Sequence, residues 1–238
     1  AIEPKSIFIS AFATAPLAAV PEFAFKDEIE DIQTGVNALA KLTNGGVHFS
    51  LSSENYSGTP LHKIENVIQH VFSGKHPAGN VGVQISHISP IMKGDTVWTV
   101  SLLLVAAIGK LFNTGKYDMT RKVAVTGPKA IDPSYVDALP GIAMKDLKEF
   151  YDNSANDLRF ISGDVLTGES VGENGFLGFF DNQVTFLHEG TEREVLGWAK
   201  PFRCRKFSSS HTYFSWLTPK KTYDMDTNFN GGPRAFVM

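Results

Sequence analysis

Residues 1–115 alternate between two apolar periods, and this alternation constrains the fold more than any other feature of the chain. Ser6 to Phe12 is a short run rich in Ile and Phe that gives way to Ala, Thr and Pro, the pattern of a strand buried on both faces. The next segment, FKDEIEDIQTGVNALAKLTNGG, places Ile29, Ile32, Val36 and Leu39 at helical spacing, with acids in its first turn and Gly45 and Gly46 beyond its end. GVHFSLS, residues 46–52, alternates as a second strand would, and LHKIENVIQHVF, residues 61–72, has the spacing of a second helix. TVWTV, residues 96–100, is a third strand candidate, and SLLLVAAIGKLFNTG follows with Ser101 placed to cap a buried helix and Gly115 to stop it. Strand and helix patterns in this order predict a parallel α/β unit.

From Arg121 the texture changes. KVAVTG, LRFISGDVL and FLGFFDNQVTFLHEG are separate β-like runs, and only MKDLKEFYDNS, residues 144–154, has a helical pattern. Short strands around one helix predict a small α+β domain of the β-grasp kind, with a boundary near residues 115–121. The expected organisation is a Rossmann-like α/β domain over 1–118, a β-grasp domain over 119–205, and a polar, aromatic tail over 206–238.

Composition narrows the function classes. With 42% hydrophobic and 20% charged residues the chain reads as an ordinary globular protein. Its net charge of -3 nominates neither nucleic acid nor an anionic membrane as a partner. The most apolar run, residues 97–109, falls short of the ~20 residues a membrane helix needs. Cys204 is the single cysteine, which excludes an internal disulfide and a thiolate metal cluster made by this chain alone, and points to a reducing compartment. Lys5 followed by IFISAFATAPLAAV imitates a secretory signal, but Glu3, Pro16 and Pro21 fit a buried strand and loop better. The start at Ala1 and the ending RAFVM lead us to expect a piece of a longer polypeptide.

Several catalytic patterns match in letters and fail in context. GESVG, centred on Ser170, lacks the helix that a nucleophile elbow requires immediately after its serine. DTNFNG, Asp226 to Gly231, starts like a calcium loop, but Val237 stands where the bidentate glutamate belongs. Asn55 to Ser57 forms a glycosylation sequon, which matters only in a secreted protein. The histidines at 62, 70, 76 and 87 form no metal-binding pair by spacing. A dinucleotide site would need a glycine-rich turn after the first strand, and FATAPLAAVPEFAF has no glycine there and carries bulky Phe23 and Phe25. The glycine-rich stretch lies instead at residues 73–89, SGKHPAGNVGVQISHIS, which read alone offers a phosphate cradle or a metal site around Lys75 and His76.

Seven segments in order, IFISAFATAPLA at 7–18, GKHPAG at 74–79, AIGKLFNTG at 107–115, VAVTGP at 123–128, FISGDVLTG at 160–168, LGWAKPFRCRKFS at 196–208 and NGGPRAFV at 230–237, resemble the NqrA subunits of bacterial Na+-translocating NADH:quinone oxidoreductases. The resemblance implies a Rossmann-like domain joined to a β-grasp domain of the SLBB type. It implies a soluble, peripheral component at the cytoplasmic face of the bacterial inner membrane, holding no flavin, iron–sulfur cluster or other cofactor of its own. NADH, flavins, an iron–sulfur cluster and quinone would be handled on or with other subunits. The implied partners are those subunits, above all the membrane-embedded one at the quinone site, and quinone itself; nucleic acid is not among them. It also implies a biotinyl/lipoyl-like region before Ala1 and a helical region after Met238.

The family is related to the flavin-binding NADH subunit of respiratory complex I and to the RnfC component of Rnf electron-transport complexes. In the complex I relative, the segment matching HPAGNVG carries a glycine pair followed by two glutamates. Asn80, Val81, Gly82 and Val83 occupy that neighbourhood without a carboxylate. The resemblance therefore implies a vestigial site whose remaining candidate ligands are Lys75, His76, Gly79, Asn80 and Gly82, with no catalytic residue and no metal ligand. An open cleft beyond the strand ends would revive cofactor binding; one filled by Phe23 or His76 would close it.

Overall fold

The computed structural model describes residues 3–54, 58–152, 157–190, 206–207, 211, 214–223 and 226–227. The first sheet has four strands, β1 (Ile7–Ala11), β2 (Val47–Ser52), β3 (Ile68–Phe72) and β4 (Trp98–Ser101), in the order β3-β2-β1-β4. All its pairings are parallel, with Ile7 opposite both Val47 and Trp98. A short helix, α1 (Pro21–Ala24), and a longer one, α2 (Ile29–Leu39), link β1 to β2; α3 (Val81–Ile88) links β3 to β4, and α4 (Leu102–Thr114) leaves β4 directly.

Side-chain alternation sorts this sheet into two faces. Ile7, Ile9, Val47, Phe49 and Leu51 point to one face and pack with Ile32, Val36 and Leu39 of α2 and with Leu102, Leu103 and Val105 of α4. Each of these buried side chains contributes about 1.5–3 kcal/mol of transfer free energy. α2 and α4 cross in backbone contact, because Gly35 and Gly109 leave no Cβ between them: one at Gly109 would stand 1.7 Å from the Asp31 carbonyl oxygen. The caps of α4 form as its sequence predicts, Ser101 Oγ accepting from Leu104 N at 3.4 Å and Gly115 taking φ 70°.

Besides α3, a helix inside the glycine-rich stretch where none was expected, one element departs from expectation. Residues 61–72 form not a helix but a 3-10 turn at Pro60–Lys63 followed by β3. Asn66 adopts φ 58°, which breaks any helical continuation, and the β-branched Val67, Ile68 and Val71 favour the strand that pairs with β2.

The second sheet has five strands, β5 (Arg121–Thr126), β6 (Ser134–Ala138), β7 (Leu158–Ser162), β8 (Glu169–Ser170) and β9 (Gln183–His188), in the order β6-β5-β9-β7-β8. β5 and β9 run parallel, while the β5–β6, β7–β9 and β7–β8 pairs are antiparallel. The predicted helix over 144–154 is a 3-10 helix at Met144–Phe150, interrupted at Leu147, and it packs Met144 and Leu147 into a core with Val123, Phe160, Val184 and Phe186. Tyr151 meets Phe160 edge-on in the same core. Parallel α/β sheet and mixed second sheet together make this a mixed α/β chain. Among the described residues, no helix is long and apolar enough to cross a membrane.

Candidate functional site

In an open parallel sheet, a crevice forms where the chain connections reverse direction, beyond the carboxyl ends of the strands. With the order β3-β2-β1-β4 that point lies between β1 and β4, and a cleft of about 620 Å3 opens there. One wall is the loop that follows β1, including Phe12, Ala13, Thr14 and Ala15, with Phe25 behind it. The floor is made by the first turns of two helices, Asn80, Val81 and Gly82 of α3 and Ser101, Leu102 and Leu103 of α4. The opposite wall comes from the second sheet: Gly163, Asp164, Thr167 and residues 180–183.

Two carboxylates, Asp164 and Asp181, line the cleft together with the first turns of two helices. First-turn N–H groups have no partner within a helix, and their dipoles add to a partial positive charge. Neither α3 nor α4 carries an acidic residue in its first turn to offset that charge, and Asn80 makes no side-chain cap bond. No lysine, arginine or histidine lines the cleft among the described residues.

The second-sheet wall is held rigidly. The Arg121 guanidinium, only 2% exposed, donates to the Phe179 carbonyl at 2.7 Å and the Gly178 carbonyl at 2.9 Å. Burial lowers its pKa, and the nearby Asp181 carboxylate partly opposes that shift. Asp181 accepts from Ser162 Oγ, which in turn accepts from Gly178 N at 2.8 Å. Asp164 accepts from Leu166 N, Thr167 N and Thr167 Oγ1 at 2.7, 2.9 and 2.8 Å. Both carboxylates facing the cleft are therefore engaged in shaping their own turns. The cleft thus mixes apolar side chains with the polar Thr14, Asn80, Asn182 and Gln183 and with two helix first turns that carry no acidic residue.

The two walls are also joined. Ala19 N donates to Gln183 Oε1 at 3.1 Å in a buried position, and Val20 N donates to the Tyr135 hydroxyl at 2.8 Å. Phe23 packs against Tyr135, with ring centroids 4.7 Å apart, so it is drawn out of the cleft.

Of the candidate ligands, Gly79, Asn80 and Gly82 line the cleft. Lys75 and His76 do not; both are exposed, and His76 Nδ1 lies 3.3 Å from Thr14 Oγ1. Thr14 also accepts from Gly79 N at 2.9 Å, which ties the stretch at 73–80 to the loop after β1. Neither Phe23 nor His76 fills the cleft, so it stays open. Residues 163–167 and 180–183 are the part that sequence reasoning missed, since only tertiary packing brings them here. Ser170 sits exposed in β8, and no helix follows it.

The histidines do not assemble as one group. His70 faces His48, with His48 Nδ1 and His70 Nε2 2.9 Å apart. His62 Nδ1 bonds the Thr59 carbonyl, and His87 is exposed on α3. Among the described residues, no cluster of three or more His, Cys, Asp or Glu side chains could hold a metal ion. Cys204, the sequon at 55–57 and most of the segment from Asp226 to Gly231 lie outside the described residues.

Two family models match this chain. The model of the NqrA second alpha/beta domain matches residues 1–117, and that of the NQRA C-terminal domain matches residues 122–173. The chain belongs to the NqrA family. The NqrA subunit of the Na+-translocating NADH-quinone reductase of Rhodopirellula baltica is 37% identical over 98% of this chain and 51% of its own length. The same subunit of Hahella chejuensis is 37% identical over 99% of the chain and 52% of its length, and that of Vibrio parahaemolyticus 35% over 98% and 51%. The chain thus spans about half the length of these NqrA relatives. An NAD+-reducing NiFe-hydrogenase crystallised in its H2-reduced state superposes with TM-score 0.54 at 12% identity, covering 78% of this chain and 41% of that one, a likeness of fold alone.

Proposed function

We propose that this chain is the central part of the NqrA subunit of a Na+-translocating NADH-quinone reductase. The observation that carries the reading is identity of 37% across nearly the whole chain to a relative of that name. In this reading the chain is a peripheral component at the cytoplasmic face of the membrane. It contributes to assembly with the other subunits, especially the membrane-embedded one at the quinone site, and to quinone interaction. Electron transfer falls to cofactors on other subunits, because ordinary side chains do not carry electrons over distance. The test is to tag the full chain in its own cells and purify it from detergent-solubilised membranes. Co-purification with Na+-dependent NADH:quinone reductase activity, and loss of that activity when the gene is deleted, support the reading. Recovery of the tagged chain free of membrane proteins, with activity intact in the deletion strain, overturns it.

The open cleft favours a second reading, a flavin- or dinucleotide-binding domain. Two helix first turns and a mixed polar and apolar lining suit a ring ligand with acceptor oxygens. Titration of the purified full chain with NADH and with FMN separates the two: saturable micromolar binding of either establishes a ligand site, and no binding rules this reading out.

A further inference from the structure

The chain's net charge of -3 hides a local reversal. Residues 195–223 contain Lys200, Arg203, Arg205, Lys206, Lys220 and Lys221 and no aspartate or glutamate, although Asp224 and Asp226 follow directly and Lys206 is ion-paired with Asp226. Within this segment a 3-10 turn, Phe214–Leu217, puts three large apolar side chains outward. Phe214, Trp216 and Leu217 are 63%, 46% and 61% exposed, while Ser215 faces in. The turn is closed by Thr218 N donating to the Ser215 carbonyl at 3.1 Å, and Lys221 N to the Thr218 carbonyl at 3.0 Å. Lys220 and Lys221 follow at once and are exposed; the Lys221 ammonium lies 5.6 Å from the centre of the Tyr223 ring. Phe207, also exposed, meets the other side of this group with its ring 5.8 Å from Tyr223.

We propose that this turn docks on an anionic lipid surface, Phe214, Trp216 and Leu217 entering the headgroup region and Lys220 pairing with a lipid phosphate. Trp, Phe and Leu beside lysines is the composition of interfacial membrane anchors, in which apolar insertion and headgroup attraction act together. A single turn presents far less than the roughly 800 Å2 per partner of a stable protein interface, whereas a bilayer needs only a few inserted side chains. The proposal rests on the reading that the chain works beside a membrane, and adds how it touches one.

The test is co-sedimentation of the purified full chain with vesicles of phosphatidylcholine alone and of phosphatidylcholine with phosphatidylglycerol in equal parts. Binding is expected only to the anionic vesicles and should fall with salt. K220Q should weaken it about fivefold. F214S/W216S should abolish it. Because these side chains are exposed, both variants should keep the parent's circular dichroism and melting temperature, which separates loss of docking from loss of fold. Absence of vesicle binding, or binding that neither variant changes, overturns the proposal. So does a result in which the variants leave vesicle binding alone but release the chain from its complex, which would make the turn a protein contact. If the chain binds vesicles through this turn but never co-purifies with a reductase, the lipid contact stands and the assignment to that complex fails.

Discussion

His48 Nδ1 and His70 Nε2 meet at 2.9 Å across β2 and β3, and Phe8 stacks on the His48 ring at 4.6 Å between centroids. A contact of this kind requires one ring to donate and the other to accept, so the two rings cannot both be protonated while it holds.

Burial lowers the pKa of both rings below the ordinary value of 6.5, and for His48 the neighbouring His70 adds to the effect. The unfolded chain then takes up protons near pH 6.5 before the folded chain does, so this part of the stability is complete above that pH and is lost as the pH falls. Urea unfolding followed between neutral pH and about pH 5 should show a midpoint that falls on acidification, and H48Q/H70Q should flatten that fall. An unchanged pH slope in the double variant would refute the pairing as its source.

Gly109→Ala should be among the most destabilising single substitutions in the α/β unit. The added carbon would stand 1.7 Å from the Asp31 carbonyl oxygen, on backbone that cannot turn away, so α2 and α4 must separate. A loss of about 3 kcal/mol is expected in chemical denaturation. Gly115→Ala meets open space and costs only its left-handed backbone, about 1 kcal/mol.

Gln183→Ala should loosen the join across the cleft. It leaves Ala19 N buried without its acceptor and removes the donor to Thr126 Oγ1 and Thr185 Oγ1, at 3.2 and 3.0 Å. The expected cost is about 1–3 kcal/mol, with faster proteolysis of the loop at residues 12–20. Tyr135→Phe, which frees the more exposed Val20 N, should cost about half as much.

Gly79 and Gly82, neighbours in the same stretch, should respond in opposite directions. A Cβ at Gly79 would stand 2.6 Å from Thr14 N, whereas one at Gly82 meets nothing within 4 Å. Gly79→Ala should destabilise by about 2 kcal/mol, and Gly82→Ala, in the first turn of α3, should stabilise by about 0.5–1 kcal/mol. Thermal melting of the two variants checks the contrast.

Where local punctuation and burial agree, the sequence is readable. Ser101 and Gly115 bracket α4, and the apolar spacing of Ile32, Val36 and Leu39 marks α2 before any coordinate is known. Residues 61–72 mislead because Leu61, Ile64, Val67 and Val71 fall at helical spacing by coincidence, while the deciding facts are the turn at Asn66 and a pairing partner in β2. β6 went unforeseen because SYVDA carries little apolar signal and exists by pairing with β5. The cleft is half legible: Gly79, Asn80 and Gly82 mark its floor, but nothing local connects them to Asp164 or Gln183, which arrive by folding of the second sheet. Lys75 and His76 drew attention as charged or ligating types, yet side-chain type says nothing about direction, and both stand outside the cleft.

Val81, Gly82, Leu102 and Leu103 in the floor of that cleft carry no polar side-chain atom, so any polar contact made there runs through peptide backbone. Alanine scanning deletes side chains and keeps every amide, so these four positions are nearly silent to the usual genetic screen. The cleft can be occluded there by a bulky residue but not disarmed by a small one. Saturating substitutions at Gly82 and Ala15 with Trp or Phe, rather than truncations, are what would make it visible to selection.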